Sequence, residues 1–469
     1  MKLSFHLFLI YQALIINNIK MVDIREKLDA LYSIKSVRET NAHTKNLLER
    51  NELTNFNVDK SKLDSTAEFV IQTIRESFPT NETLLSIPIH GRYQQFESDG
   101  KERLTNIIET EFKNLNDLEI CKKLVDLFMV SVLLDAGAGN VWKYKEVDGT
   151  TQSRSEGLAV ASLHMFADGL FSDDKKDPFV VNGSRLSSLT EKKLQDGLQV
   201  TSANPISGFE GRLELLHKLG DTLSANKALF GTDGRPGNLI DYLLNNKLLE
   251  EPKDGKYKID LQDLWLCLVK GLQPIWPTEG RVQICGEYIG DVWFLQSRKK
   301  LAQQKFGTPN PPEWTYAVTF HKLLQWLTYS LMLPLKKYGH FEITHCEYMT
   351  GLPEYRNGGL FVDSGVLTLK PEQKEKGLAL SVKLKTNVSI PTYVPDDDVI
   401  VEWRSCTICL LDELLVLVNH KLQITGTKYE LTLPQLIEAG SWKSGRRIAK
   451  QFRKNGGPPI ELHADGTVF

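Results

Sequence analysis

One-sided charge is missing from this sequence. Over 469 residues, 57 lysines and arginines meet 59 aspartates and glutamates. No net field therefore draws the chain to nucleic acid or to an anionic membrane. Cysteine is scarce, six in all and irregularly spaced, which excludes a dense disulfide framework and points to a reducing compartment. Cys406-Thr407-Ile408-Cys409 is a CxxC inside an apolar helical stretch. Zinc needs two further ligands, and neither a second CxxC nor an HxxxH supplies them, so these read as core cysteines and no metal site is expected. The sequence also lacks a GxGxxG, a Walker lysine, a GxSxG elbow and the kinase motif set. The run Asp396-Asp397-Asp398 lacks EF-hand spacing.

A long apolar run is absent too. Leu3 to Ile16 is apolar but falls short of the roughly 20 residues that cross a bilayer. It runs into Asn17-Asn18-Ile19-Lys20 with no small-residue cleavage site. Residues 1–20 read as an extension outside the fold, and 21–469 as a single domain, with no repeat, low-complexity tract or dividing linker. The expected compartment is the cytoplasm, with the nucleus left open, and neither a membrane nor a nucleic-acid partner is expected.

What the sequence does have is helical periodicity around an apolar fraction of 41%. Lys62 to Ile71, Leu118 to Leu134, Leu158 to Asp168, Leu213 to Gly220 and Thr319 to Leu333 carry it, the last ending at Pro334. Glu342–Tyr348 and Gly377–Thr386 alternate weakly and read as strands, with Pro371–Lys376 a solvated turn. Ile460 to Phe469 reads as a hairpin turning at Asp465-Gly466. The expectation is a mainly α body with a few short strands. Its organising element is Trp403 to Val418, apolar on nearly all sides and hence buried. Asp412 shares a face with Ile408 and Leu415, so it must be paired or have its pKa raised. Glu430 stands just ahead of a second apolar segment. Two structural acids, one capping and one ion-paired, is the competing reading of this pair.

Several loops carry polar groups. His90, Arg92 and Tyr93 cluster in one connector. Asp135-Ala136-Gly137-Ala138-Gly139-Asn140 follows an apolar helix and suits a C-terminal cap or a phosphate cradle. Trp142 and Tyr144 could stack on a flat ring or pack in the core. Glu156 and Gly157 open a helix, where Glu156 complements the helix dipole or meets a ligand. Arg212 and Arg235 lie on glycine-rich loops, and Arg281 sits among Trp265, Trp276 and Trp293; guanidinium matches phosphate geometry, and surface ion pairing is the alternative. Asp363 is an acid within a glycine-rich apolar stretch.

Eight of these stretches, in order, resemble the uracil catabolism protein 4 family: Ile87–Phe96, Leu133–Tyr144, Arg154–Ser172, Asn204–Gly220, Gln273–Trp293, Leu352–Leu367, Trp403–Leu414 and Glu430–Phe469. The resemblance implies a place in pyrimidine degradation. A fainter one, over about a third of the chain, is to the queuosine-phosphate N-glycosylase (queuosine salvage) family, which has a helical fold related to DNA glycosylases. Arg404 to Asp412 is similar to that family's R-A-Q-x-x-x-x-D helix, with one residue more. Glu430 to Gln435 is similar to its D-Y-R-x-P-Q, with Glu430 at the catalytic acid, Pro434 and Gln435 matching, and Thr432 where the family has arginine. Phe361-Val362-Asp363 resembles its substrate-contacting pair.

This resemblance implies N-ribosyl hydrolysis of a uridine-derived ribotide such as ribosylurea phosphate. Cleaving the C–N bond builds positive charge at the sugar carbon, which a carboxylate stabilises or attacks. On this expectation Glu430 and Asp412 are catalytic. Asp363, Phe361, Arg212, Arg235, Arg281, Glu156 and Trp142 bind substrate, and neither metal nor other cofactor takes part. The alternatives are a ring-opening or amide hydrolase of the same route, or a non-catalytic pathway partner.

Overall fold

The computed structural model describes residues 23–463 apart from 140, 247, 248 and 254. The proposed extension 1–20 and the turn at Asp465-Gly466 lie outside the described residues. Helices dominate, and strands of two to five residues form small ladders with no closed sheet among the described residues. The mainly α expectation therefore holds.

The longest helix among the described residues, Asp398–Lys421, starts where the Asp397 carboxylate accepts the Val399 N–H at 3.0 Å. Its first fourteen residues from Asp398 are almost all buried. Val399, Ile400, Trp403, Cys406 and Leu410 pack into one hydrophobic core with Ser61–Ser77 and Tyr355–Asp363. Val401 and Ile408, on its other side, pack into a second core built from Asp117–Leu133, Arg154–Ala167 and Lys322–Lys337. The helix thus joins two cores, and its all-round apolarity follows from having protein on both sides.

Three segments differ from the sequence reading. Residues 371–384 form one helix rather than a turn and a strand, with Pro371 at its first position, where a missing N–H costs nothing. Helix Lys322–Lys337 carries Pro334 inside it; the strand Ala317–Thr319 precedes it, paired with Val292–Phe294. The glycine-rich stretch Tyr355–Asp363 is a helix, capped by Glu354 through the N–H groups of Arg356 (2.8 Å) and Asn357 (2.7 Å). Its glycines serve close packing. A Cβ on Gly358 would lie 2.8 Å from Thr407 Oγ1, and one on Gly359 would lie 3.1 Å from Pro459 Cδ.

Two ladders position the site. The hairpin Lys143–Lys145/Thr151–Ser153 delivers the chain to the start of helix Arg154–Ala167. The parallel pair Thr392–Tyr393/Glu461–Leu462 draws residues 458–463 back over the junction between the cores, with the His463 N–H bonded to Tyr393 O at 2.8 Å.

Candidate active site

A cavity of about 490 Å³ lies at that junction, within the size range of small-molecule sites. The second core contributes Asp135 to Gly139, Ser155, Lys322 and Trp326; the first contributes Ile400, Trp403, Thr407 and Trp442; residues 458 and 460–463 form a further wall.

Asp135 follows the helix Asp117–Leu133 directly. One of its oxygens accepts Ser155 Oγ–H at 2.7 Å, and the other pairs with Arg92 Nη1 at 2.9 Å. Arg92 is wholly buried and also donates to Ser131 Oγ (2.7 Å), Ser131 O (3.0 Å) and Ser155 O (3.1 Å). The carboxylate is therefore held in place and partly neutralised, with lone pairs left for a ligand. Beyond it, Gly139 adopts φ +80°, and a Cβ there would lie 2.5 Å from Ser207 Oγ. The loop is clamped from behind by Arg212, which donates to the carbonyls of Leu134, Ala136, Gly137, Ser207 and Gly208. Burial lowers the pKa of this guanidinium to about 10.

On another wall His90 Nδ1 lies 2.6 Å from Glu438 Oε2. The His90 N–H is fixed by Pro434 O at 3.3 Å, and Gln435 Nε2 donates to Ile87 O at 3.1 Å. Glu438 sits in a π-helical turn, Ile437–Ser441, of the kind often found at functional sites. The imidazole packs against Trp326 and Trp442, ring centroids 4.8 and 5.9 Å away.

Besides Arg154, three cations complete the lining. Arg404 is held bidentately by buried Asp291, both contacts at 2.7 Å, and stacks over Phe320. Burial would raise the Asp291 carboxyl, but Arg404 outweighs it and holds it at about 2. Lys322 has its backbone N–H bonded to Asp291 Oδ2 at 2.9 Å, while its ammonium makes no hydrogen bond or ion pair with a described residue. Burial lowers its pKa against the pull of Glu354 and Asp135. Arg356 is buried and stacks on Trp442 at 3.9 Å. No group of three or more His, Cys, Asp or Glu side chains among the described residues could hold a metal ion.

The residues chosen from the sequence are not brought together here. Glu430 is exposed and caps its own turn, Oε2 accepting the Gly426 N–H at 2.7 Å. The turn aims Leu431 inward, because Asn419 bonds both its N–H and its carbonyl, and so leaves Glu430 outside. Asp412 is part-exposed and paired with Arg38; the C-terminal half of the long helix turns a face to solvent, with Val416 69% exposed. Asp363 pairs with Arg453 behind the cavity wall, and Phe361 is core. Arg235 is consumed by Asp126 (2.7 Å) and Glu119 (2.9 Å). Arg281 lies 5.7 Å from the Trp293 ring and donates to Glu279 O at 3.4 Å. Glu156 joins Arg446 (2.5 Å) to Arg356 (3.9 Å). Trp142 is core, its Nε1–H bonded to Leu198 O at 2.9 Å and its ring against Gly157. None of these eight lines the cavity, nor does Arg212, which clamps the Asp135 loop from behind. The sequence did mark His90, Arg92 and the Asp135 loop as polar connectors. Glu438, Lys322 and Trp326 carried no signal apart from their helices.

The chain belongs to an identifiable family. Residues 30–469 match the family model described as "protein of unknown function (DUF1688)", and the chain belongs to that family. Two relatives extend the match. The chain is 47% identical over 445 residues to "Uracil catabolism protein 4" of Lachancea kluyveri, covering 93% of this chain and 98% of the relative. It is 40% identical over 448 residues to "Protein urg3" of Schizosaccharomyces pombe, covering 95% and 99%. Among the described residues no helix is long and apolar enough to cross a membrane.

Proposed function

We propose that this protein acts in uracil catabolism, as the name of one relative suggests, by hydrolysing the N-ribosyl bond of a uridine-derived ribotide in the cytoplasm. Ribosylurea phosphate is the specific substrate proposed; water adds at the sugar carbon, the C–N bond breaks, and urea and ribose phosphate leave. The observation that carries this reading is the meeting of Asp135 with the His90–Glu438 pair around one cavity walled by Trp326, Trp403 and Trp442. A fixed carboxylate offsets charge developing at the sugar carbon. Glu438 orients the imidazole, and His90 Nε2 then takes the proton of the attacking water. The tryptophans flank the flat ureido or uracil group. Glu430 has no part in this mechanism.

The test is incubation of the purified protein with ribosylurea phosphate, uridine monophosphate and uridine, assaying urea and reducing sugar. Release of both from ribosylurea phosphate, lost in Asp135→Asn, supports the reading. A ring-opened ribotide instead would favour an amide hydrolase, and no turnover of any substrate would leave a non-catalytic role.

A further inference from the structure

The three arginines that the sequence offered to a phosphate are unsuited to one: Arg212 is spent on five carbonyls, Arg235 on two carboxylates, and Arg281 lies outside the cavity. Two other cations are placed differently. Lys322 lines the cavity with part of its surface open, and its ammonium meets no hydrogen-bond or ion-pair partner among the described residues. Arg356 also lines the cavity at 3% exposure. Its Nε donates to Tyr355 Oη at 3.0 Å, but Nη1 and Nη2 make no hydrogen bond. Its nearest carboxylate oxygen, Glu156 Oε2, is 3.9 Å from Nη2, and Glu156 is already held by Arg446. Glu354, beside both cations, is occupied in capping the helix Tyr355–Asp363.

A third feature faces the same space. Helix Arg154–Ala167 is fourteen residues long, and no side chain of its N-cap residue, Ser153, closes its first turn. Arg154 and Ser155 from that turn line the cavity. Free N–H groups at a helix start attract anions. A buried or half-buried cation whose donors are only partly met gains from an anion brought within hydrogen-bond reach. These features share one cavity, and an oxyanion answers all of them.

We propose that Lys322, Arg356 and the first turn of helix Arg154–Ala167 form the subsite for the phosphomonoester of a sugar phosphate, so that the enzyme takes nucleotides and their ring-opened ribotides rather than free nucleosides. This rests on the ribosyl-hydrolase reading for its sugar, but not for its anion. Lysine supplies a point charge, and guanidinium a planar fork for phosphate oxygens.

The experiment is isothermal titration of the purified full chain with ribose 5-phosphate, ribose and inorganic phosphate, repeated on Lys322→Met and Arg356→Gln. The expected result is that ribose 5-phosphate binds at least tenfold more tightly than ribose, and that inorganic phosphate competes with it. Lys322→Met should weaken ribose 5-phosphate at least tenfold while leaving any ribose binding unchanged. Should Arg356→Gln fail to fold, Lys322→Met decides alone. Equal affinity for ribose and its phosphate overturns the subsite, as does an unchanged affinity in Lys322→Met. Inorganic phosphate binding without ribose 5-phosphate binding overturns the sugar-phosphate assignment. Phosphate-dependent binding with no hydrolysis of ribosylurea phosphate would keep the subsite and remove the hydrolase. Equal turnover of ribosylurea and its phosphate would keep the hydrolase and remove the subsite.

Discussion

His90 and Glu438 are joined by a 2.6 Å contact although 348 positions separate them in the chain. The carboxylate at Nδ1 selects the tautomer and fixes the ring, which leaves Nε2 for chemistry. His90→Gln should therefore lower kcat for urea release by roughly 10²- to 10⁴-fold, the usual contribution of a positioned base. Glu438→Gln should lower it less and leave KM nearly unchanged, because it acts through His90. Steady-state kinetics on variants with unchanged circular dichroism measures both.

Asp135 and Glu430 separate the cavity from the sequence-based assignment. Asp135→Asn should reduce kcat by roughly 10²- to 10³-fold, as expected on losing an oriented group facing developing charge. Glu430→Gln removes an exposed charge and keeps an amide oxygen that can still accept the one backbone N–H bonded in its own turn. Its turnover should match the parent, and its stability should lie within about 0.5 kcal/mol. Comparable losses in the two variants would remove the cavity as the site.

Helix Trp442–Phe452 packs on helix Tyr355–Asp363 and tolerates no side chain at Gly445. A Cβ there would lie 2.1 Å from the Arg356 carbonyl oxygen, which is backbone and cannot turn aside. Alanine gains up to about 1 kcal/mol in helix propensity over glycine. Overpacking costs about 1–3 kcal/mol, and the strain wins at so short a separation. Gly445→Ala should lower the denaturant midpoint by the equivalent of about 2 kcal/mol and weaken substrate binding, since Arg356 and Trp442 both move.

Glu402 carries a pH prediction. It is buried on the long helix, where its two oxygens accept the Thr54 N–H at 2.8 Å and the Asn55 N–H at 2.6 Å. Burial outweighs these bonds and raises its pKa to about 7, against about 4.3 in an unfolded chain. The folded state thus binds more protons between these values, so this group's contribution is complete below about pH 4 and is lost as pH rises through 7. The loss amounts to roughly 4 kcal/mol. Urea denaturation from pH 4 to pH 8 should show a falling contribution that Glu402→Gln abolishes, whatever that variant does to stability at a single pH.

The helices were legible because burial imposes a period, and the long helix stood out because both its sides touch protein. The strand expected at Gly377–Thr386 failed for the converse reason: on a half-exposed helix with little buried beyond Gly377 and Ser381, periodicity is weak and Pro371 at the start decides. The site was less legible. Asp412 and Glu430 have the residue types the chemistry wants, but their orientation depends on which face of a helix meets solvent and on how Asn419 twists a turn. Lys322 and Glu438 resemble any helical charge in sequence. Only the folded chain shows that one lacks a partner and the other faces His90.

The wall formed by residues 458 and 460–463 is held by the two-residue pairing with Thr392–Tyr393. Of all the residues around the cavity, these leave the ribosome last, whereas His90 and Asp135 are made early. A growing chain can assemble most of both cores, short of Ile460, and still present the acid, the imidazole and the tryptophans as an open trough flooded with water. The seal arrives in one late event, and a premature stop before Pro458 would leave the trough open and the core position of Ile460 unfilled.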